Sequence, residues 1–153
     1  MKTTSPWQHF IMRFWHWWDK RKGRVDEKLG PWGERWATRF LRLHGCRILA
    51  MNVHPIRHGE VDIIARKRGM TLFIEVKTRR NEIIGRPIDA ITTQKREHLR
   101  RCATAWLAQQ RLLGTSHLYR FDAIEVIGTP KKGIPTIRWI PSINMEMTRF
   151  PDI

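Results

Sequence analysis

Residues 59–77, GEVDIIARKRGMTLFIEVK, fall into two alternating runs joined by a tight turn. Val61, Ile63 and Ala65 alternate with Glu60, Asp62 and Ile64; past the turn, Leu72, Ile74 and Val76 alternate with Phe73, Glu75 and Lys77. A period of two predicts two strands. Arg68-Gly69 predicts the two-residue loop between them, because Gly tolerates the positive φ such a turn needs. That loop pairs Lys67 with Met70, sets Asp62 opposite Glu75, and sets Lys77 opposite Glu60. Directly opposed side chains have Cβ atoms roughly 5 Å apart, where like charges destabilise the pair. A hard divalent cation relieves the conflict, since Mg²⁺ is held by one or two carboxylates together with waters and substrate phosphates. Lys77, two residues past Glu75, returns to the same face. Asp, Glu and Lys converging there would bind a metal, hold a phosphate and activate a water.

The chain of 153 residues reads as one main domain with enough length to bury a core. Its 41% apolar and 28% charged content fits a soluble globular protein. The formal net charge of +15 is the unusual term, and it implies a polyanionic partner: nucleic acid first, an anionic membrane surface second. Residues 1–29 carry only +4 of that excess, so the basicity belongs to the body of the chain as well. Cys46 and Cys102 stand far apart with no CxxC pairing, which points to a reducing compartment and two small buried hydrophobes. No apolar run reaches membrane-span length and the first residues lack a signal-peptide core, so a cytoplasmic protein is expected.

Along residues 7–18, Trp7, Phe10, Ile11, Phe14, Trp15 and Trp18 share one helical stripe, with Gln8, Met12, Arg13 and His16 roughly opposite. The stripe predicts a helix docking its aromatic face on the domain or on a second subunit. A membrane-surface anchor, disfavoured by the absence of a strongly basic polar face, and a base-stacking surface are the other uses of such a segment. Residues 19–31 read as a charged linker.

A helix is expected from Gly33 to His44, stopped at Gly45, with Ala37, Phe40, Leu41 and His44 on its inner face. Glu34 falls on that face at the helix start, where favouring the N-terminal dipole is its duller use. Arg47 to Val53 predicts a strand, followed by a His-Pro loop. Thr92 or Thr93 caps a helix expected to run to Leu113 and stop at Gly114, with Leu99, Cys102, Ala103, Trp106, Leu107 and Gln110 inside. Its first two turns carry Lys95, Arg96, Arg100 and Arg101, a solvated face that gains weight as a phosphate contact in so basic a chain. Tyr119–Ile127 and Thr136–Ile140 predict two more strands. His54 and His58 fit no metal-ligand spacing such as HExxH, and neither a GxSxG element nor a Gly-rich phosphate loop is present.

The order of these elements carries a resemblance. Gly33-Glu34 with Ala37, Asn52, Gly59-Glu60-Val61-Asp62, Phe73-Ile74-Glu75-Val76-Lys77 with Arg79, Gly85 with Pro87, Lys95, and Arg120-Phe121-Asp122 follow one another as in the bacterial YraN family. These small endonuclease-like proteins of the PD-(D/E)xK superfamily are similar to archaeal Holliday junction resolvases. The likeness covers roughly residues 30–127; Val61 stands where the superfamily often has Pro. It implies an α/β fold, a restriction-endonuclease-like mixed β-sheet flanked by helices, over residues 30–143, between an aromatic and basic segment at 1–29 and a tail at 144–153. It implies a Mg²⁺ or Mn²⁺ site held by Asp62 and Glu75 and completed by Glu34, with Lys77 as the fourth catalytic residue. Arg79, Gln94, Lys95, Arg96 and Arg100 would contact nucleic acid, DNA before RNA. Resolvases act as dimers, so a homodimer is implied. Competing readings are a non-catalytic nucleic-acid-binding module on the same fold, and an anchoring protein that uses the first helix.

Overall fold

The computed structural model describes residues 6–24, 27–81, 92–112 and 116–143. Helix α1 spans Pro6–Arg21 and α2 spans Leu29–Leu43; strands β1, β2 and β3 span Arg47–Ile56, Gly59–Lys67 and Met70–Arg79. Helix α3 spans Thr93–Gln109, β4 spans Tyr119–Ile127, and β5 spans Thr136–Ile140. The strands form one mixed sheet in the order β1-β2-β3-β4-β5, with β3 and β4 parallel and the other neighbours antiparallel. A parallel pair needs a crossover, and α3 supplies it. The result is the mixed, helix-flanked α/β sheet of the restriction-endonuclease-like kind.

Both sheet faces are covered. Ile63, Ala65, Leu72, Ile74, Ile124 and Val126 pack against Trp32, Trp36, Phe40 and Leu41 of α2. On the other face, Ile64, Phe73, Phe121 and Ala123 pack against Leu99, Cys102, Trp106 and Leu107 of α3. Burial on both sides explains why β2 reads VDIIA rather than as a strict apolar–polar alternation. The hairpin follows the expected register from Lys67↔Met70 to Ile63↔Ile74. Its loop residues, Arg68 at φ 47° and Gly69 at φ 80°, both take the left-handed conformation that this two-residue turn requires.

Several boundaries differ from expectation for physical reasons. Strand β1 continues through Pro55 to Ile56 and turns tightly back into β2 at Ile56↔Gly59. Because β1 is an edge strand, the missing N–H of Pro55 costs no ladder bond on its open side. Helix α3 is capped by Thr92, whose Oγ1 accepts from the Lys95 N–H at 3.2 Å, and it ends at Gln109. Arg111, at φ 57°, takes the left-handed stop, and Gln110, expected on the inner stripe, is exposed. Leu113, Gly114, the Gly85-Arg86-Pro87 break and the tail from residue 144 lie outside the described residues.

The largest correction concerns α1. Trp7, Phe10, Phe14 and Trp18 of the aromatic stripe are exposed, as is Trp17 beside them. The buried side is instead Gln8, Met12 and Asp19, with Trp15 partly buried, about a quarter turn around the helix. Asp19, expected in a charged linker over residues 19–31, instead lies in the last turn of α1 and is 4% exposed, and α2 already begins at Leu29. Arg39 donates to it at 2.6 and 3.0 Å and Arg35 at 3.3 Å, both from α2. These charge-assisted bonds, with Met12 in the core and Trp15 packed against it, accompany the observed orientation.

Gly33 fixes how closely α2 approaches the sheet. A Cβ there would lie 1.8 Å from Thr78 Oγ1 and 2.8 Å from Thr78 Cβ on β3. Gly33→Ala is therefore expected to push the start of α2 off the sheet and cost about 1–3 kcal/mol in urea unfolding. A loss below about 0.5 kcal/mol would mean that α2 slides without strain.

Candidate functional site

At the open end of the hairpin the two strands part. The regular β2–β3 ladder stops at Ile63↔Ile74, one residue short of Asp62 on β2 and of Glu75 on β3, and the Glu75 charge acts directly on Asp62. Beyond it, the Val76 N–H donates to Asp62 Oδ2 at 2.6 Å in place of a strand partner. Glu75 lies two residues past Phe73, on the face covered by α3, and is 4% exposed. Lys77 Nζ approaches its Oε1 at 3.3 Å, and Lys95 Nζ, from the first turn of α3, approaches its Oε2 at 3.1 Å. Glu75 Oε2 is otherwise buried without a hydrogen bond, so the Lys95 contact is ionic rather than well aligned.

Asp62 shows the electrostatic cost of this arrangement. Burial first, and the charge of Glu75 second, push its pKa up to about 6; Glu34 adds in the same direction, while the Val76 N–H and Lys95 oppose it. A carboxylate that resists ionisation next to a second, buried one is a place where a cation is welcome. Two carboxylates on one face fit a hard divalent ion whose other ligands are waters and phosphate oxygens. Among the described residues there is no group of three or more His, Cys, Asp or Glu side chains poised around one point. Glu34, partly buried on α2, acts on Asp62 through its charge.

The shift makes metal-free stability pH-dependent. Asp62 titrates near 6 when folded and near 3.8 when unfolded, so the folded state holds the extra proton between those values. Stability is then greatest below about 4 and declines as pH rises through 6, by at most about 3 kcal/mol from this group. Asp62→Asn, whose Oδ1 still accepts from Val76, is expected to match the parent chain near pH 4 and exceed it near pH 7 in chelator-treated buffer. Equal melting temperatures at both pH values would remove the strained carboxylate from the account.

Of the residues expected to meet nucleic acid, Gln94 and Arg100 are exposed on α3 and Arg96 is partly buried, whereas Lys95 turns inward to Glu75. Arg79 is held by Glu125, with Nε 3.3 Å from Oε1. Sequence reading missed Glu125. It sits beside Lys77 in the parallel β3–β4 register, is 5% exposed, and is also bonded by Arg138 at 3.3 Å. The signal was the interruption of the apolar run AIEVI in a strand buried on both sides. His54 and Glu60 are exposed and 4.0 Å apart.

A cleft of about 810 Å³ is lined by Glu27, Lys28, Arg80, Asn81, Lys131 and Lys132, among others, and includes neither Asp62 nor Glu75.

A family model described as "Uncharacterised protein family UPF0102" matches residues 33–126, which contain Glu34, Asp62, Glu75, Lys77, Lys95 and Glu125 and exclude α1. A UPF0102 protein of Nocardia farcinica is 47% identical over 109 residues, covering 70% of this chain and 84% of the relative. One from Symbiobacterium thermophilum is 42% identical over 102 residues, covering 67% and 84%. One from Alkaliphilus metalliredigens is 38% identical over 109 residues, covering 71% and 93%. The chain belongs to the UPF0102 family.

Proposed function

We propose that this protein is an endonuclease of the PD-(D/E)xK kind, dependent on Mg²⁺ or Mn²⁺ and directed at structured or branched DNA. The observation that carries the reading is the pair of interacting carboxylates, Asp62 bonded by the Val76 N–H where β2 and β3 part and Glu75 whose charge acts on it, with Lys77 and Lys95 on Glu75. A divalent ion bound by the two carboxylates would supply a Lewis acid for a phosphoryl oxygen and a water of lowered pKa. Lys77, 39% exposed at its side chain, is free to swing from Glu75 toward an incoming phosphate, where its ammonium orients the attacking water and offsets developing negative charge. Lys95 sits at the α3 N-terminus, whose dipole also favours a phosphate. Gln94 and Arg100 stand exposed beside it, and the net charge of +15 supplies long-range attraction.

A second reading, a nucleic-acid-binding module with little turnover, is favoured by one observation: Glu75 already has both oxygens paired to lysines. The test is nicking of a labelled panel (duplex, single strand, flap and four-way junction, with an RNA counterpart) with Mg²⁺ or Mn²⁺, beside Glu75→Ala/Lys77→Ala. Metal-dependent cutting that the double variant loses is expected. Tight, salt-sensitive binding without cutting by either protein would select the second reading, and no binding even at low salt would remove both.

A further inference from the structure

We propose that the outward face of α1 is a docking surface for an anionic phospholipid bilayer. Trp7, Phe10, Phe14, Trp17 and Trp18 lie along one side of this helix, each between 43% and 75% exposed. Soluble surfaces seldom leave so continuous an apolar strip uncovered unless something binds it. The strip cannot be relieved by rolling the helix inward, because Asp19 on the opposite side is clamped by Arg35 and Arg39, and Met12 is already in the core.

Charge decides the occupant. Asp19 is the sole acidic residue between 6 and 24, and it is buried; the exposed charges there are Arg13, Lys20, Arg21, Lys22 and Arg24. Arg21 lies over the Trp17 ring at 4.9 Å and Lys22 over Trp18 at 5.4 Å, so the cations edge the aromatic strip itself. Tryptophan and phenylalanine beside Lys and Arg suit the headgroup boundary of a negatively charged bilayer. A second copy of the chain would bring the same cationic strip against itself, and like charges across an interface oppose pairing. No helix among the described residues is long and apolar enough to cross a membrane, so α1 would lie in the interface.

The placement sets α1 and the Glu75 carboxylate on different sides of the sheet. Met12 joins the core cluster on the α2 side of the sheet, whereas Glu75 faces the α3 side with Lys95. A bilayer under α1 would hold the protein with the site turned away from the lipid.

The experiment is co-sedimentation of the full chain with vesicles of phosphatidylcholine alone, or of equal parts phosphatidylcholine and phosphatidylglycerol, with light scattering on the free protein. Two variants accompany it, Phe10→Ser/Phe14→Ser and Arg21→Glu/Lys22→Glu, each checked for an unchanged melting temperature. The parent chain is expected to partition onto the anionic vesicles at least about tenfold more than onto neutral ones, with a blue shift of tryptophan emission, and each variant to lose about tenfold or more. Equal partition onto both vesicle types, or none, would overturn the proposal. So would full binding by the Phe10→Ser/Phe14→Ser variant, which would reduce the effect to bulk charge. A parent dimer that this variant converts to monomer, without vesicle binding, would assign the face to a second copy instead.

Discussion

Lys77→Met is expected to lower the rate of metal-dependent DNA nicking by about 10²–10³-fold while leaving DNA affinity within a few-fold of the parent. The size follows from what the residue would do. A preorganised cation aimed at charge that develops only in the transition state contributes to turnover far more than to ground-state binding. The structure gives Lys77 a holding partner, Glu75 Oε1 at 3.3 Å, which keeps the ammonium beside the carboxylates until a phosphate competes for it. Folding should survive the change, because the side chain is 39% exposed and Glu75 retains Lys95. Single-turnover nicking of a junction, measured beside equilibrium binding in Ca²⁺, separates the two quantities. A full rate in the variant would strip Lys77 of its role; parallel losses of rate and affinity would make it an ordinary phosphate contact.

Asp122→Ala is expected to destabilise the chain by about 3–5 kcal/mol, the largest folding effect foreseen here. Asp122 is fully buried and accepts four hydrogen bonds. Arg120 donates twice, at 2.7 and 2.8 Å, Trp139 Nε1 donates at 2.8 Å, and the Ser142 N–H donates at 3.0 Å. One carboxylate thus ties β4 to β5 and to the chain leaving β5. Its removal leaves a guanidinium and an indole N–H without their acceptor, and it is the unpaired group that is costly. Arg120→Met/Asp122→Leu, which removes the pair together, should recover part of the loss. Urea unfolding at neutral pH decides: a cost under about 1 kcal/mol for Asp122→Ala would show that water enters and replaces the aspartate.

The hairpin was legible from sequence because its rules are local. A period of two, a Gly able to hold φ 80°, and a loop of two residues leave one register, which the structure follows from Lys67↔Met70 to Ile63↔Ile74, just short of Asp62 and Glu75. The caps were equally local: Thr92 starts α3, and Gly45 at φ 75° ends α2. Lys95 was legible as a basic residue but not as a partner of Glu75. Nineteen residues lie between the two along the chain, and the packing of Leu99 and Cys102 on the sheet brings the start of the helix to Glu75. Glu125 was hidden for a related reason, since its partners Arg79 and Arg138 come from the two neighbouring strands.

Helix α1 marks the boundary most clearly. Helical spacing specified an aromatic stripe, and the stripe exists, but periodicity assigns a face without saying what the face meets. In the folded chain the Asp19 carboxylate meets Arg35 and Arg39 and Met12 enters the core, while the aromatics point outward, a choice that periodicity along α1 does not encode. Sequence by itself therefore determined the β2–β3 hairpin with its turn and the ends of α2 and α3 at Gly45 and Thr92, because each depends on neighbours within a few residues along the chain or across one tight turn. Tertiary structure alone decided which lysine meets Glu75, which arginines Glu125 holds, and which way α1 faces, because those depend on charges that only the finished packing brings within hydrogen-bond reach.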